Sequence, residues 1–370
     1  MMKEMIGIFA IALLSVGCSS KKPVVNENEL TLLVGTYTSG SSQGIYTFRF
    51  NEETGAASPL SQVKLSNPSY LALSADNRFV YAVSEEDGTT SAVNAFAFDK
   101  EQGTLQLLNS QRTEGSSPCY VSTDGKEVLT ANYGGGSMSV FALQSNGSLA
   151  HIDTLFEGAA TGPDTERQGT AHVHCAVFSP DKKYIFASDF SADRLLRYAV
   201  DPKGSSPCPL SETVNITPGS GPRHLTFSPN GKFAYLISEL SGNVTVFDYA
   251  DGRLNQIQSI TADTLRAKGS ADIHLSPDGK YLYASNRLKE DGIAIFAVDE
   301  VKGTLAKVGY QLTGIHPRHF NITPNGMFLL VACRDSNLIQ VFERDTSTGL
   351  LTDTGKNISI NKPACVQFAQ

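Results

Sequence analysis

Tryptophan is absent from this 370-residue chain, which excludes repeat architectures defined by a Trp-Asp dipeptide. None of its six cysteines forms a Cys-x-x-Cys pair, so the ligand spacing of a structural zinc site is missing. Charged residues make up only 18% and the formal net charge is -7. A nucleic-acid surface needs a basic patch or stripe, so nucleic acid is not expected as a partner. A few arginines in a cleft can still bind a small anion within an acidic protein. No serine elbow leading from strand into helix and no Ser-His-Asp order is recognised, which removes the usual signals of an acyl-enzyme hydrolase.

Nor does the N-terminal apolar run, Met5 to Val16, reach the length of a comfortable bilayer span. With Gly17-Cys18-Ser19-Ser20 after it, it fits an export signal with a cysteine at the cleavage point. It is similar to bacterial lipoprotein signals, which implies lipidation of Cys18. The expected layout is a signal over 1–18, a polar tether over 19–29 and the folded chain over 30–370. Ser15 stands where the usual pattern prefers leucine, and Lys3 beside Glu4 makes a weak basic region. An apolar N-terminal strand is the alternative reading. Of the remaining cysteines, Cys119, Cys175 and Cys365 fall just after the starts of repeated strands. Burial as small hydrophobes is their default reading, and a disulfide between adjacent units stays open in an exported protein.

Glycine is abundant, at 32 residues, and the sequence reads as many short strands joined by tight turns. One unit recurs: an apolar strand, Ser/Thr-Pro-Asp/Asn-Gly-Lys, an aromatic-rich strand, a polar cluster, then a third strand. Clear copies are His224-Leu-Thr-Phe-Ser-Pro-Asn-Gly-Lys-Phe-Ala-Tyr-Leu-Ile237 and Asp272-Ile-His-Leu-Ser-Pro-Asp-Gly-Lys-Tyr-Leu-Tyr-Ala-Ser285. The turn falls at Asn77, Gly125, Lys182, Gly231, Gly279 and Gly326, at spacings of 48, 57, 49, 48 and 47 residues. Asn-Gly and Asp-Gly predict primed hairpin turns, with positive φ at both central residues. Third strands are expected from Gly44, Ala92, Ser137, Arg194, Asn243, Gly292 and Leu338, which makes seven units.

The first unit lacks an inner strand, and Lys362-Pro-Ala-Cys-Val-Gln-Phe368 is an inner strand without a unit. Ring closure reconciles the two. The fold class is therefore all-β: a seven-bladed β-propeller of four-stranded antiparallel blades, closed by pairing of the N- and C-terminal strands. Closure removes the open edge that a linear array would leave, whereas two stacked sandwiches would not need these complementary incomplete units. The 57-residue spacing marks an insertion, with Gly158 to Gly169 as a long loop on one rim.

Polar residues recur where inner strands begin and second strands end. The first set is His172, His174, Arg223, His224, Asp272, His274, Arg318 and His319. The second is Glu85, Asn132, Tyr133, Asp189, Glu239, Asn286, Arg287 and Arg334. Superposed units bring both sets to one end of the central channel. Two readings stay open for any one of them: a hydrogen-bonded network that joins blades, or a ligand site. His172-Val-His174 has a spacing compatible with a metal, which the nearby arginines oppose, and no metal site is assigned. His274, whose counterparts are Thr226 and Asn321, is the weakest candidate.

These anchors resemble the bacterial 6-phosphogluconolactonase family of seven-bladed propellers, in a superfamily with fungal carboxymuconate lactonising enzymes. The resemblance rests on Val34-Gly-Thr-Tyr-Thr38, Asn67-Pro-Ser-Tyr-Leu71, Ala131-Asn-Tyr133, His172-Val-His174, Gly221-Pro-Arg-His-Leu225, Ser238-Glu239, Ser270-Ala-Asp272, Ser285-Asn-Arg287 and Pro317-Arg-His-Phe320. It covers nearly the whole chain after the tether. It implies cofactor-free hydrolysis of 6-phospho-D-glucono-1,5-lactone, with Arg223, His224, Glu239, Arg287, Arg318, His319 and His174 in the site. Glu239 or His224 would take the proton of the attacking water. Arg287 or His174 would face the oxyanion. Arg318, with Arg334 in reserve, would hold the phosphate; Asp272, Asn132 and Tyr133 complete the expected binding set.

The partner expected is thus a small anionic sugar lactone, with a lipid anchor if the signal is processed, and a monomer or weak dimer as the assembly. A lipoprotein would sit in the periplasm or on the outer membrane, where a phosphorylated lactone is scarce. Either the location is cytoplasmic or the substrate is another lactone. A cyclase acting on carboxylated muconates and a non-catalytic binding propeller are the competing functions.

Overall fold

A computed structural model describes residues 28–200 and 209–369. The proposed leader, Cys18, most of the tether and Cys208 lie outside the described residues. Among those described, the strands form seven sheets, each with a path of four hydrogen-bonded antiparallel strands. Blade 1 is built from Glu29–Thr36, Gly44–Asn51 and Ala57–Lys64, with the C-terminal Pro363–Ala369 as its inner strand. That strand pairs antiparallel with Glu29–Thr36, from Thr31 opposite Ala369 to Thr36 opposite Pro363. The inner strands of blades 2 to 7 are Leu71–Leu73, Pro118–Thr123, Val173–Phe178, Pro222–Phe227, Ser270–Leu275 and Pro317–Ile322. The third strands start at the seven residues expected from the repeat.

Apolar side chains from facing sheets fill the space between blades. Leu33, Ile45, Leu71, Tyr81, Phe96 and Phe141 belong to one such buried cluster, and Tyr235, Ile237, Val246, Leu282 and Phe296 to another. Each fully buried aliphatic or aromatic side chain contributes about 1.5–3 kcal/mol relative to exposure. A repeated device adds direction. Tyr81, Tyr235 and Tyr283, at one position of the second strand, donate from Oη to the carbonyls of Gly147, Gly303 and Gly349 on the next blade, at 3.2, 3.0 and 2.8 Å. Gly303 has φ +72° and lies so close to Phe233 that a Cβ would meet the ring at 2.2 Å, so the position needs glycine both for conformation and for space. Gly55 meets Phe328 in the same way across the closure.

The repeat turns differ from the expected primed form. In Ser228-Pro-Asn-Gly231, only Gly231 has positive φ, and its N–H donates to the Ser228 carbonyl at 2.8 Å. The Ser276 and Thr323 turns repeat this bond, also at 2.8 Å. This is the geometry of a type I turn with a left-handed residue after it. Proline at the first central position fixes φ near -65°, which forbids the positive value a primed turn requires. The serine hydroxyl closes the loop by donating to Asn230 Oδ1 at 2.7 Å and accepting from the Phe233 N–H at 2.9 Å.

Candidate active site

The channel side chains are delivered by a repeated backbone irregularity. In five inner strands one residue is left out of the ladder near the start: Cys119, His174, Arg223, Arg318, and Ala364 on the C-terminal strand. In blade 6 the pairing jumps from Ser270 to Ile273 and leaves Ala271 and Asp272 out. Proline precedes the extra residue at 118, 222, 317 and 363, where its missing N–H costs the ladder nothing. Regular alternation sends neighbouring side chains to opposite faces. A bulge re-aims one of them, and so Arg223 and His224, and likewise Arg318 and His319, can both serve the channel.

At the channel mouth three guanidinium groups surround one carboxylate. Glu239 Oε2 accepts from Arg223 Nε at 2.9 Å and lies 3.2 Å from Arg287 Nη2. Its Oε1 accepts from Arg167 Nη2 at 2.7 Å. Burial pushes the Glu239 carboxyl up, but the three cations outweigh burial and hold it down to about 2. Arg287 is further fixed by the Gly269 carbonyl, 2.7 Å from Nε, and its Nη1 lies 3.1 Å from His316 Nε2. Burial lowers Arg287 to about 9 even with Glu239 opposing the shift.

Deeper in the channel a second carboxylate is ringed by imidazoles. Asp272 Oδ1 accepts from His224 Nδ1 at 2.8 Å, and Oδ2 from His274 Nε2 at 3.0 Å. The N–H groups of Ile273 and Phe320 add two donors, at 3.0 and 3.1 Å. With its Nδ1 proton given to Asp272, His224 accepts at Nε2 from Arg223 Nη1, 3.2 Å away. Burial, with Arg223 adding to it, takes His224 down to about 3. Burial likewise takes His319 to about 4. The Val366 N–H donates to His319 Nδ1 at 3.3 Å, so its proton sits on Nε2, which is sealed and without a partner 3.6 Å from Asp272 Oδ2. Asp272, His274 and His319 bring one donor atom each within 4.8 Å of one another. That protonated Nε2 is the nitrogen a metal would need bare, so the donor set does not fit a cation.

His174 stands between the two layers. Cys119 Sγ lies 3.6 Å from its Nδ1, and its ring meets those of Tyr133 and His224 edge to face. Burial first, then Arg223, His224 and Arg318, keep the imidazole neutral well below its usual range. Its Nε2 has no hydrogen-bond partner and is not among the sealed, unpartnered polar atoms of the described residues, so it opens on the channel. Cys119, Cys175, Cys333 and Cys365 are buried free thiols, and burial pushes all four thiols up. No disulfide joins these four.

The structure thus brings Glu239, His224, His174, Arg287, Arg223, His319 and Asp272 into one continuous cluster. Arg318 joins at the side: its Nη2 donates to Glu85 Oε2 at 3.3 Å and its guanidinium lies over the Tyr37 ring. Arg334 is further out, paired with Asp335 through two bonds of 2.8 and 2.9 Å in a cleft shared with Tyr37, Ser39 and Lys362. Tyr133 stacks on His172 at 4.0 Å, with its Oη 3.5 Å from Arg167 Nη2. Asn132 does not join. Its amide is taken up inside the blade by Ser137 and Ser139, at 2.9 and 2.8 Å, because the strand turns it towards its neighbour. His274 joins through Asp272 and by an edge-to-face contact with the His319 ring.

Arg167, Tyr37, Glu85 and His316 also belong to the site. Glu85 and Tyr37 stand in recurring positions of the repeat. Arg167 lies in the rim insertion, where length was the only signal. The pentapeptide Gly40-Ser-Ser-Gln-Gly44 has the spacing of a serine elbow, but it joins strand to strand, and Ser42 Oγ donates to the Asn361 carbonyl at 2.5 Å.

Residues 31–368 match the family model described as lactonase, 7-bladed beta-propeller. The chain belongs to this lactonase family. A 6-phosphogluconolactonase of Bacillus subtilis is 39% identical over 346 residues, covering 90% of this chain and 97% of that protein. A crystal structure from Bacteroides uniformis superposes with a TM-score of 0.92 at 67% identity, covering 93% of this chain and all of that one. The periplasmic gluconolactonase of Pseudomonas aeruginosa has a TM-score of 0.87 at 36% identity, covering 92% and 99%. The lactonase fold therefore extends over the whole propeller, including the terminal strand pair that closes it.

Proposed function

We propose that this protein hydrolyses the 1,5-lactone of a sugar acid, with 6-phospho-D-glucono-1,5-lactone as the first candidate and 6-phospho-D-gluconate as its product. The observation that carries this reading is the meeting of three guanidiniums on Glu239 beside a neutral His174 open to the channel, in a lactonase-family chain. A relative named 6-phosphogluconolactonase supports the phosphorylated substrate.

In this mechanism a water attacks the lactone carbonyl and His174 Nε2 takes its proton. The charge forming on the carbonyl oxygen faces Arg223 and Arg287, where one lost donor costs about 2.7–4 kcal/mol of barrier. The bond from the carbonyl carbon to the ring oxygen then breaks, and His174 returns the proton to that oxygen. Glu239, held near 2, stays ionised and orients the guanidiniums. His224 has both ring nitrogens engaged and holds Arg223 and Asp272 in register.

A second reading is favoured by the pairing of Arg318 with Glu85 and of Arg334 with Asp335, which leaves these two arginines less suited to grip a phosphate. We propose on that reading an exported lipoprotein, anchored through Cys18 in the periplasm or outer membrane and acting on an unphosphorylated aldonolactone. The periplasmic relative supports it; a cytoplasmic location goes with the phosphorylated substrate. The deciding experiment runs both lactones beside each other, with product followed through an added 6-phosphogluconate dehydrogenase or by acid release and corrected for spontaneous opening. Hydrolysis of either above background, lost in Arg287→Ala, supports the lactonase reading and names the substrate; a rate on neither overturns it. Labelled palmitate incorporated by the wild type but not by Cys18→Ser would support the anchor, and equal labelling of both would sink it.

A further inference from the structure

We propose that Arg167, carried over the channel mouth by the rim insertion, is the residue that recognises an anionic substituent of the lactone, a phosphate or a carboxylate. This rests on the lactonase reading and extends it to a specificity-determining residue.

The loop that delivers Arg167 is built to hold one position. The Ala159 N–H donates to Asp189 Oδ2 at 3.1 Å, and the Gly162 N–H to the Ser191 carbonyl at 2.7 Å. Asp164 then caps a tight turn: its Oδ1 accepts from the Arg167 N–H at 3.2 Å, and its carbonyl from the Gln168 N–H at 2.6 Å. Gln168 Nε2 donates to the Phe190 carbonyl at 3.0 Å. Across the mouth, Lys268 Nζ reaches Asp164 Oδ2 at 2.8 Å. The guanidinium itself lies over the Phe190 ring, 5.5 Å from its centroid.

What that position offers is an unbalanced charge and unused N–H donors. Glu239 is one negative charge facing three positive ones. Arg223 and Arg287 share its Oε2 and are nearly buried, with side chains 2% and 7% exposed; Arg167 takes Oε1 and is 32% exposed. Arg318 and Arg334, by contrast, each have a carboxylate partner of their own. The bonds of Arg167 to Glu239 and Tyr133 use only Nη2. Its Nε and Nη1 have no partner and are not sealed, so Nη1 offers two N–H donors at the entrance and Nε a third on the other side of the guanidinium. Free N–H donors on a permanent cation make charge-assisted bonds to an oxygen of a phosphate or carboxylate, and a third cation around one carboxylate is stabilised by such an anion.

The test measures kcat and KM of the full chain and of Arg167→Ala and Arg167→Lys on 6-phosphogluconolactone and on glucono-1,5-lactone. Titration calorimetry with 6-phosphogluconate and with gluconate, and thermal melting, run in parallel. In Arg167→Ala, KM for the lactone that carries the anion and the dissociation constant of the phosphorylated acid should rise about 10- to 100-fold, the factor of a hydrogen bond to a charged group. The KM for glucono-1,5-lactone should rise several-fold less than that for the phosphorylated lactone, and Arg167→Lys should recover part of the loss because it keeps the charge. Equal losses on both lactones at unchanged melting would show that Arg167 acts only by orienting Glu239, and would overturn the assignment. An unchanged dissociation constant for 6-phosphogluconate would overturn it as well. If the wild type hydrolyses neither lactone, the lactonase reading fails by itself, and the titration alone decides whether Arg167 reads the anion.

Discussion

Glu239 and Asp272 are both almost sealed carboxylates in one channel, and their surroundings differ in kind. Glu239 meets three permanent cations, while Asp272 meets three imidazoles and two backbone N–H groups. Both are held ionised against burial. The mouth layer thereby carries excess positive charge that does not titrate near neutrality, and the deep layer holds His224 and His319, whose protonation burial suppresses. Binding an anion and moving a proton are different tasks, and the two layers are suited to one each, with His174 at their junction.

The largest way to break this comparison is Glu239→Gln. It leaves three buried or half-buried guanidiniums without their counter-charge, at a cost of about 3–5 kcal/mol, so chemical denaturation should show a large loss together with activity. Asp272→Asn should cost less, about 1–3 kcal/mol, because no permanent cation loses its counter-charge, although the amide oxygen keeps only one of the two backbone N–H donors. Equal losses would mean that the two layers are not energetically distinct.

His174→Gln separates chemistry from stability. A lost general base costs about 10²–10⁴ in rate, so kcat should fall in that range while the melting temperature moves little. A kcat within a few-fold of wild type would remove His174 as the base.

Stability against pH sharpens the contrast further. His224 at about 3, His319 at about 4 and His316 at about 2 all lie below the usual histidine value. The unfolded chain therefore binds protons from about pH 6.5 downwards while the folded chain does not, so stability falls with acidification at up to about 1.4 kcal/mol per pH unit for each histidine. Glu239, lowered to about 2, contributes stability that is complete above its unfolded value, about 4.3, and is lost only as pH falls towards 2. Between pH 7 and 5 the slope should therefore belong to the histidines. His319→Gln should reduce it, and Glu239→Gln should lower the whole curve without changing it. Urea midpoints across that range check both statements.

The smallest effect is expected at Arg334. It is paired with Asp335 at the rim, and an exposed pair contributes about 0.2–1 kcal/mol. Arg334→Ala should shift KM by less than about 5-fold, and a loss as large as that of Arg167→Ala would move the anion site to the Arg334 cleft.

Much of this molecule is legible in its residues, because each blade must supply its own turn, its own apolar faces and its own channel anchors. The period at Asn77 through Gly326 places the strands, and the orphan Pro363–Ala369 finds its partner because an unpaired inner strand and an incomplete blade solve the same hydrogen-bonding problem. The anchors Arg223, His224, Glu239 and Arg287 are visible as polar residues where a buried strand should be apolar. Three things lie beyond that reach. The primed turns give way to type I because proline fixes φ. Asn132 looks like a channel residue but bonds within its blade, since the facing of one side chain depends on local register. Arg167 is carried by a loop that follows no repeat.

The sequence by itself determined the seven-fold repeat, the closure and which residue types gather at the channel, since these follow from local turn chemistry and from period-2 burial. Only the tertiary structure decided which charges meet. A bulge of one residue changes the face on which a side chain stands, and an inserted loop brings a cation 72 residues away in sequence to within 2.7 Å of Glu239. Electrostatic partners are chosen by such distances, which no local pattern encodes.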